Sequence, residues 1–162
     1  MTPHPSKMET GGEDAHLHLA ELRVFGVFDG VGGWAEVGVD PSVFSRNLAA
    51  QTRLACEKID GGRRAGLSGK ELRTALANGL RRVYDPGSAT ACLISVGPSG
   101  ELACVNVGDS GFRVFRPQAG GKAAVVCRSQ DSACGEELEP TQSYKSVAEP
   151  GQRAPFTHEP ST

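Results

Sequence analysis

With 162 residues, 38% of them apolar and 22% charged, the chain has the composition of one ordinary globular domain able to bury a core. A formal charge of -2, with Lys and Arg scattered apart from the pairs Arg63-Arg64 and Arg81-Arg82, argues against a broad basic surface and so against nucleic acid as a partner. No apolar run reaches membrane-spanning length and the first residues lack the zones of a secretory signal, so no membrane partner is expected and the default placement is cytoplasmic.

Residues 1–12, with Pro3, Pro5, Gly11 and Gly12 and little apolar content, predict a loose entry segment. Glu13 and Asp14 then precede the alternating run His16-Leu17-His18-Leu19, which predicts a first strand. His16 and His18 share one strand face at i, i+2. That spacing suits a zinc site, but no third nitrogen or sulfur ligand is suggested nearby, and ordinary strand histidines are the expectation.

Leu22 to Phe28 is short, apolar and rich in Val and Phe, which suits a buried strand. Asp29 follows it directly. A carboxylate at the end of a buried strand needs a proton, hydrogen-bond donors or a cation. Gly30, Gly32 and Gly33 permit a sharp turn and close backbone approach, so that a carbonyl can join the carboxylate around a hard ion such as magnesium or manganese. The plainer reading of the same segment is a strand ending in an Asp-Gly turn. If the first strand pairs antiparallel with this one, Glu13 or Asp14 lies near Asp29.

Asp40-Pro41-Ser42 predicts a helix start, with Phe44, Leu48, Ala55 and Ile59 on one face and Asp60-Gly61-Gly62 as the stop. Ser68 with Glu71 predicts a capping box for a second helix, whose buried stripe is Leu72, Leu76, Leu80 and Val83. Both helices read as scaffold. Strands are then predicted at Ala89 to Val96, Leu102 to Val107, Phe112 to Phe115 and Ala123 to Cys127, joined as consecutive hairpins. Asp109, between Gly108 and Gly111, repeats the strand-then-aspartate arrangement of Asp29, either as a second metal carboxylate or as a turn residue bonded to its own backbone. The domain is expected over 13–128. Residues 129–162 are polar, lack an apolar period and are expected to be a disordered tail. The five cysteines, Cys56, Cys92, Cys104, Cys127 and Cys134, are odd in number with no CxxC spacing, and read as reduced core residues.

The segments GGEDAH (Gly11 to His16), FGVFDGVGGW (Phe25 to Trp34), GVDPSVFSR (Gly38 to Arg46), GSATAC (Gly87 to Cys92) and VNVGDSGFRVFR (Val105 to Arg116) together carry a resemblance. In this order they resemble the metal-dependent protein phosphatases of type 2C, and most of all the branch that includes the mitochondrial phosphatases related to the T-cell activation protein phosphatase. The resemblance runs from about His4 to Gln130. It implies an α+β fold in which two antiparallel sheets pack face to face and are flanked by helices, an α/β/β/α sandwich of which this chain holds only part. It also implies hydrolysis of phosphoserine or phosphothreonine on a phosphoprotein substrate by a metal-activated water, with magnesium or manganese as cofactor. Asp29 corresponds to the carboxylate bridging two ions and is the catalytic candidate. Glu13, Asp14, the Gly30 carbonyl and Asp109 complete the implied metal set.

The chain departs from the commonest family pattern at three places. Val31 stands where a histidine is usual, a difference shared by the organellar branch. Glu9 stands where a phosphate-binding arginine is usual, leaving Lys7 as the nearest cation and the candidate for phosphate contact. The two metal-binding aspartates of the second half have no counterpart, since Asp131 is the only aspartate after Arg116. With fewer carboxylates the chain could instead act as a non-catalytic phosphoprotein-binding or regulatory module. A monomer is expected, and the resemblance leaves a mitochondrial or other organellar placement open beside the cytoplasmic default.

Overall fold

The computed structural model of the chain describes Lys7, residues 11–129 and the backbone of two further strands, Ser143–Ser146 and Phe156–Glu159. Strand β1 (Ala15–Leu19) and strand β2 (Val24–Phe28) form a hairpin closed by a turn over 20–23. A 3-10 helix (Gly32–Val37) leads into α1 (Pro41–Asp60), which is followed by α2 (Gly69–Leu80). Strands β3 (Ala91–Val96), β4 (Leu102–Val107), β5 (Arg113–Pro117) and β6 (Ala123–Arg128) follow, with β7 (Ser143–Ser146) and β8 (Phe156–Glu159) last.

The main sheet is antiparallel in the order β1-β2-β3-β4-β7-β8, and β5-β6 forms a separate two-stranded sheet. β3 and β4 make the expected hairpin, but β4 and β5 do not pair. The glycine-flanked loop around Asp109 carries the chain from one sheet to the other instead. Two short strands are described in the stretch beyond 129 that was expected to lack regular structure, with β7 pairing Tyr144 to Leu102 on β4. Cys134 and Asp131 lie outside the described residues, as does Glu9.

Local sequence accounts for both helices. At the start of α1, Asp40 Oδ1 accepts the Ser42 N–H at 2.9 Å and Pro41 occupies the first turn. Gly61, at φ 59°, closes the same helix with its N–H on the Glu57 carbonyl. Ser68 and Glu71 form a reciprocal capping box at the start of α2.

Alternation then decides what each strand buries. Leu17, Leu19, Val24, Phe28, Leu93 and Val105 share the sheet face beneath the helices, with α1 over β1 and β2 and α2 over β3 and β4. Gly26 is required between two of these leucines, since a Cβ there would lie 2.5 Å from Leu93 Cδ2 and 3.1 Å from Leu17 Cγ. The opposite face carries His16, His18, Phe25, Val27, Cys92, Ile94 and Cys104. Part of it is covered by the β5-β6 hairpin, through Phe112, Val114 and Cys127 against Ile94 and Cys104. His18 stacks on Phe25 at 5.1 Å between ring centroids, a packing role that needs no metal. The four described cysteines are buried thiols outside any disulfide, and burial pushes the Cys56 and Cys104 thiols up to about 12 and that of Cys92 up to about 11. Such thiols are packing groups, as expected.

Candidate metal centre

The β1-β2 register pairs Ala15 with Phe28, so one further step places Asp14 opposite Asp29. Both side chains fall on the face of His16 and Val27, away from the helices. The β2-β3 register, which pairs Val27 with Cys92, places Thr90 beside Asp29 in the same way. Two backbone-linked contacts bear this out: the Thr90 N–H donates to the Asp29 carbonyl at 2.9 Å, and the Asp29 N–H donates to Thr90 Oγ1 at 3.3 Å. On the far side, β3 and β4 bring Gly108 against Thr90, where a Cβ on the glycine would lie 2.9 Å from Thr90 Cγ2. Asp14, Asp29, Thr90 and Gly108 therefore make one row across the end of four strands, with Asp109 next in the chain.

The row is strongly acidic, and the Lys7 ammonium is a cation on which its charges act. Partial burial, then the hydrogen bond and charge of Asp14, then the charges of Asp109 and Glu13, all push the Asp29 carboxyl above the usual carboxylate range. Like charges directly opposite on paired strands destabilise a sheet, so this row costs stability unless a cation joins it. Glu13 is turned aside. Its Oε2 accepts Lys7 Nζ at 2.5 Å, and that partner holds the Lys7 ammonium above its ordinary pKa. Its carbonyl accepts from Ser45 Oγ, a fully buried hydroxyl on α1, at 2.5 Å, and Arg46 Nη2 donates to the Gly12 carbonyl at 3.2 Å. The start of α1 thus fixes the acidic pair by its backbone.

The turn after Asp29 is closely packed. A Cβ on Gly30 would lie 2.5 Å from the Glu13 carbonyl oxygen and 3.0 Å from that of Pro41, and one on Gly32 would lie 3.1 Å from Glu13 Oε2. The segment after Gly87 clamps the turn from the other side. Val31 N–H donates to the Ser88 carbonyl at 3.0 Å, Trp34 Nε1 donates to Ser88 Oγ at 2.8 Å, and Gly30 bridges Ala89.

Of the residues singled out from sequence, Asp14 and Asp29 meet directly, Glu13 and Asp109 act on Asp29 by charge, and Lys7 rests on Glu13. Gly30 lies where only glycine fits. Among the described residues no three His, Cys, Asp or Glu side chains come together closely enough to hold an ion as they stand. The donor set is nonetheless all oxygen and strongly anionic, which fits a hard divalent cation such as magnesium or manganese better than zinc. The hydroxyls of Ser45, Ser88, Thr90 and Ser110 escaped the sequence reading. Their signal was the small hydroxylic residues inside GSATAC and GDSG, but nothing in the spacing ties them to Asp29.

No protein-family model matches the chain. It is 43% identical over 114 residues to "Probable protein phosphatase 2C 80" of Arabidopsis thaliana, covering 70% of this chain and 26% of that protein. It is 38% identical over 113 residues to "Protein phosphatase PTC7 homolog fig" of Drosophila grimshawi, covering 65% of this chain and 35% of that protein. Among solved structures it is similar to the photosystem II phosphatase PBCP, with a TM-score of 0.68 and 30% identity, over 99% of this chain and 59% of that one. The chain spans about a quarter of the length of the first curated relatives it matches. Over about 70% of its length the chain is similar to members of the protein phosphatase 2C family.

Proposed function

We propose that this chain carries the first part of a metal-dependent protein serine/threonine phosphatase, acting on phosphoserine or phosphothreonine in a phosphoprotein. The supporting observation is the Asp14-Asp29 pair at the end of β2, with Glu13 and Asp109 adding negative charge around it. Asp29, Asp14, Glu13 and Asp109 by their carboxylates, and Gly30 by its carbonyl, would hold magnesium or manganese. Such an ion, when bound, lowers the pKa of water and offsets charge on phosphoryl oxygens. A phosphate dianion is repelled by the bare acidic row, so substrate binding by these residues depends on the cation. Lys7, held on Glu13, is the candidate for phosphate contact.

The test is hydrolysis of p-nitrophenyl phosphate by the 162-residue chain in millimolar manganese, beside Asp29→Asn prepared identically. A manganese-dependent rate lost in the variant is expected. Equal rates would overturn the enzyme reading for this chain. One observation favours a second reading: the described carboxylates meet as a pair and not as a set of three. Phosphopeptide binding with no rate at any manganese concentration would support a phosphoprotein-binding module.

A further inference from the structure

Thr90 makes more contacts to the acidic row than any sequence motif required of it. Its N–H and hydroxyl both engage the Asp29 backbone, at 2.9 and 3.3 Å. Its Oγ1 also lies 2.5 Å from Ser110 Oγ, in the loop that carries Asp109. By accepting the Asp29 N–H, the hydroxyl keeps its own proton free for Ser110, so both bonds can exist together. Its methyl packs where Gly108 leaves room, 2.9 Å from the site of an added Cβ. These contacts join the end of β2 to the loop that crosses from the main sheet to the β5-β6 hairpin. Asp29 and Asp109 repel one another, so in the absence of such a crosspiece their loops would drift apart.

We infer that Thr90 is a positioning residue for the cation site, holding the Asp29 backbone and the Asp109 loop at a fixed separation through its hydroxyl. The inference rests on the reading of the acidic row as a divalent-cation site. It assigns Thr90 no contact with substrate. Groups that orient metal ligands from behind commonly alter metal affinity by about 10- to 100-fold when removed. Thr90→Val keeps the shape and loses the hydroxyl, whereas Thr90→Ser keeps the hydroxyl and loses the methyl.

The deciding measurement is manganese affinity of the full chain, by electron paramagnetic resonance of free Mn2+, for the unsubstituted protein and for Thr90→Val, Thr90→Ser, Ser110→Ala and Asp29→Asn. Thr90→Val is expected to weaken binding about tenfold, Ser110→Ala several-fold, and Thr90→Ser less than about twofold. A purely structural role would lower the thermal midpoint of Thr90→Val and leave the affinity of the folded protein unchanged. Unchanged affinity in both Thr90→Val and Ser110→Ala would overturn the inference while leaving the cation reading intact. Binding by the unsubstituted chain no stronger than that of Asp29→Asn would overturn the cation reading and the inference with it. If Thr90→Val does not fold, Ser110→Ala decides alone, because it cuts the same link from the other side.

Discussion

Helices α1 and α2 touch at Gly79, and replacing it by alanine sets two effects of opposite sign against each other. Alanine is favoured over glycine by about 1 kcal/mol in a helix interior, and by less at Gly79, the penultimate residue of α2. The added Cβ, however, would lie 2.6 Å from Thr52 Oγ1, 2.8 Å from Thr52 N and 2.9 Å from Thr52 Cα. Rotation of Thr52 can withdraw the hydroxyl but not the backbone atoms, so the helices must part. Overpacking of this kind costs about 1–3 kcal/mol, and a backbone obstacle belongs near the top of that range. The net expectation for Gly79→Ala is therefore a loss of about 1–2 kcal/mol. Urea denaturation followed by far-ultraviolet circular dichroism reads this as a fall in midpoint of about 0.5–1 M at constant slope. Thr52 supplies a second arm. Its hydroxyl is buried and without a partner, so Thr52→Ala removes the movable obstacle and leaves the immovable one. The double variant should show no rescue. A midpoint for Gly79→Ala at or above that of the unsubstituted chain would refute the reasoning, as would full rescue by Thr52→Ala.

Two further expectations concern charge. Burial alone would push the Glu71 carboxyl up, but the Ser68 N–H and hydroxyl and the Arg63 guanidinium together hold it below the ordinary value of 4.5. Its contribution is full above that value and is lost as pH falls through the lowered folded pKa, so Glu71→Gln should lose less stability than the parent between about pH 5 and 2. Identical acid limbs in the two melts would count against the capping box as a source of stability. Asp29 has the opposite sign: its folded pKa is raised, so the native state binds more protons and stability falls as pH rises through the window just above 3.8. Because Asp29 is largely exposed, the gain from Asp29→Asn in metal-free buffer is on the order of 1 kcal/mol or less, which calorimetry at pH 7 reads as a rise of a few degrees in Tm. A lower Tm would show that the carboxylate is compensated without a cation.

How much of this was legible beforehand follows from the range of each interaction. Asp40, Pro41 and Gly61 set the limits of α1 from within a few residues, and Ser68 with Glu71 set the start of α2, because caps are local bonds that the residue types themselves encode. The strands were legible as apolar runs, with boundaries displaced by one or two residues where the turn over 20–23 and the clamp at Ser88 and Thr90 take up backbone groups. The end of β2 was recognisable at Asp29 from an apolar strand meeting a glycine turn.

Of the row itself, only the nearness of Glu13 or Asp14 to Asp29 was legible. Asp14 lies opposite Asp29, and Thr90 beside it, only because the registers of β1, β2 and β3 align them, and register depends on which faces are buried across the whole sheet. Thr90 looked like any residue in a small-residue segment until its hydroxyl met Asp29 and Ser110, which are 61 and 20 residues away. Gly79 looked like a weak point in a helix until α1 came within reach of it. Sequence by itself determined the two helices, the strands up to β6 and the resemblance to a family, because each is written in neighbouring residues or in the order of short motifs. Only the tertiary structure decided which carboxylates face one another and what holds them there, because those contacts join chain segments that no local pattern connects.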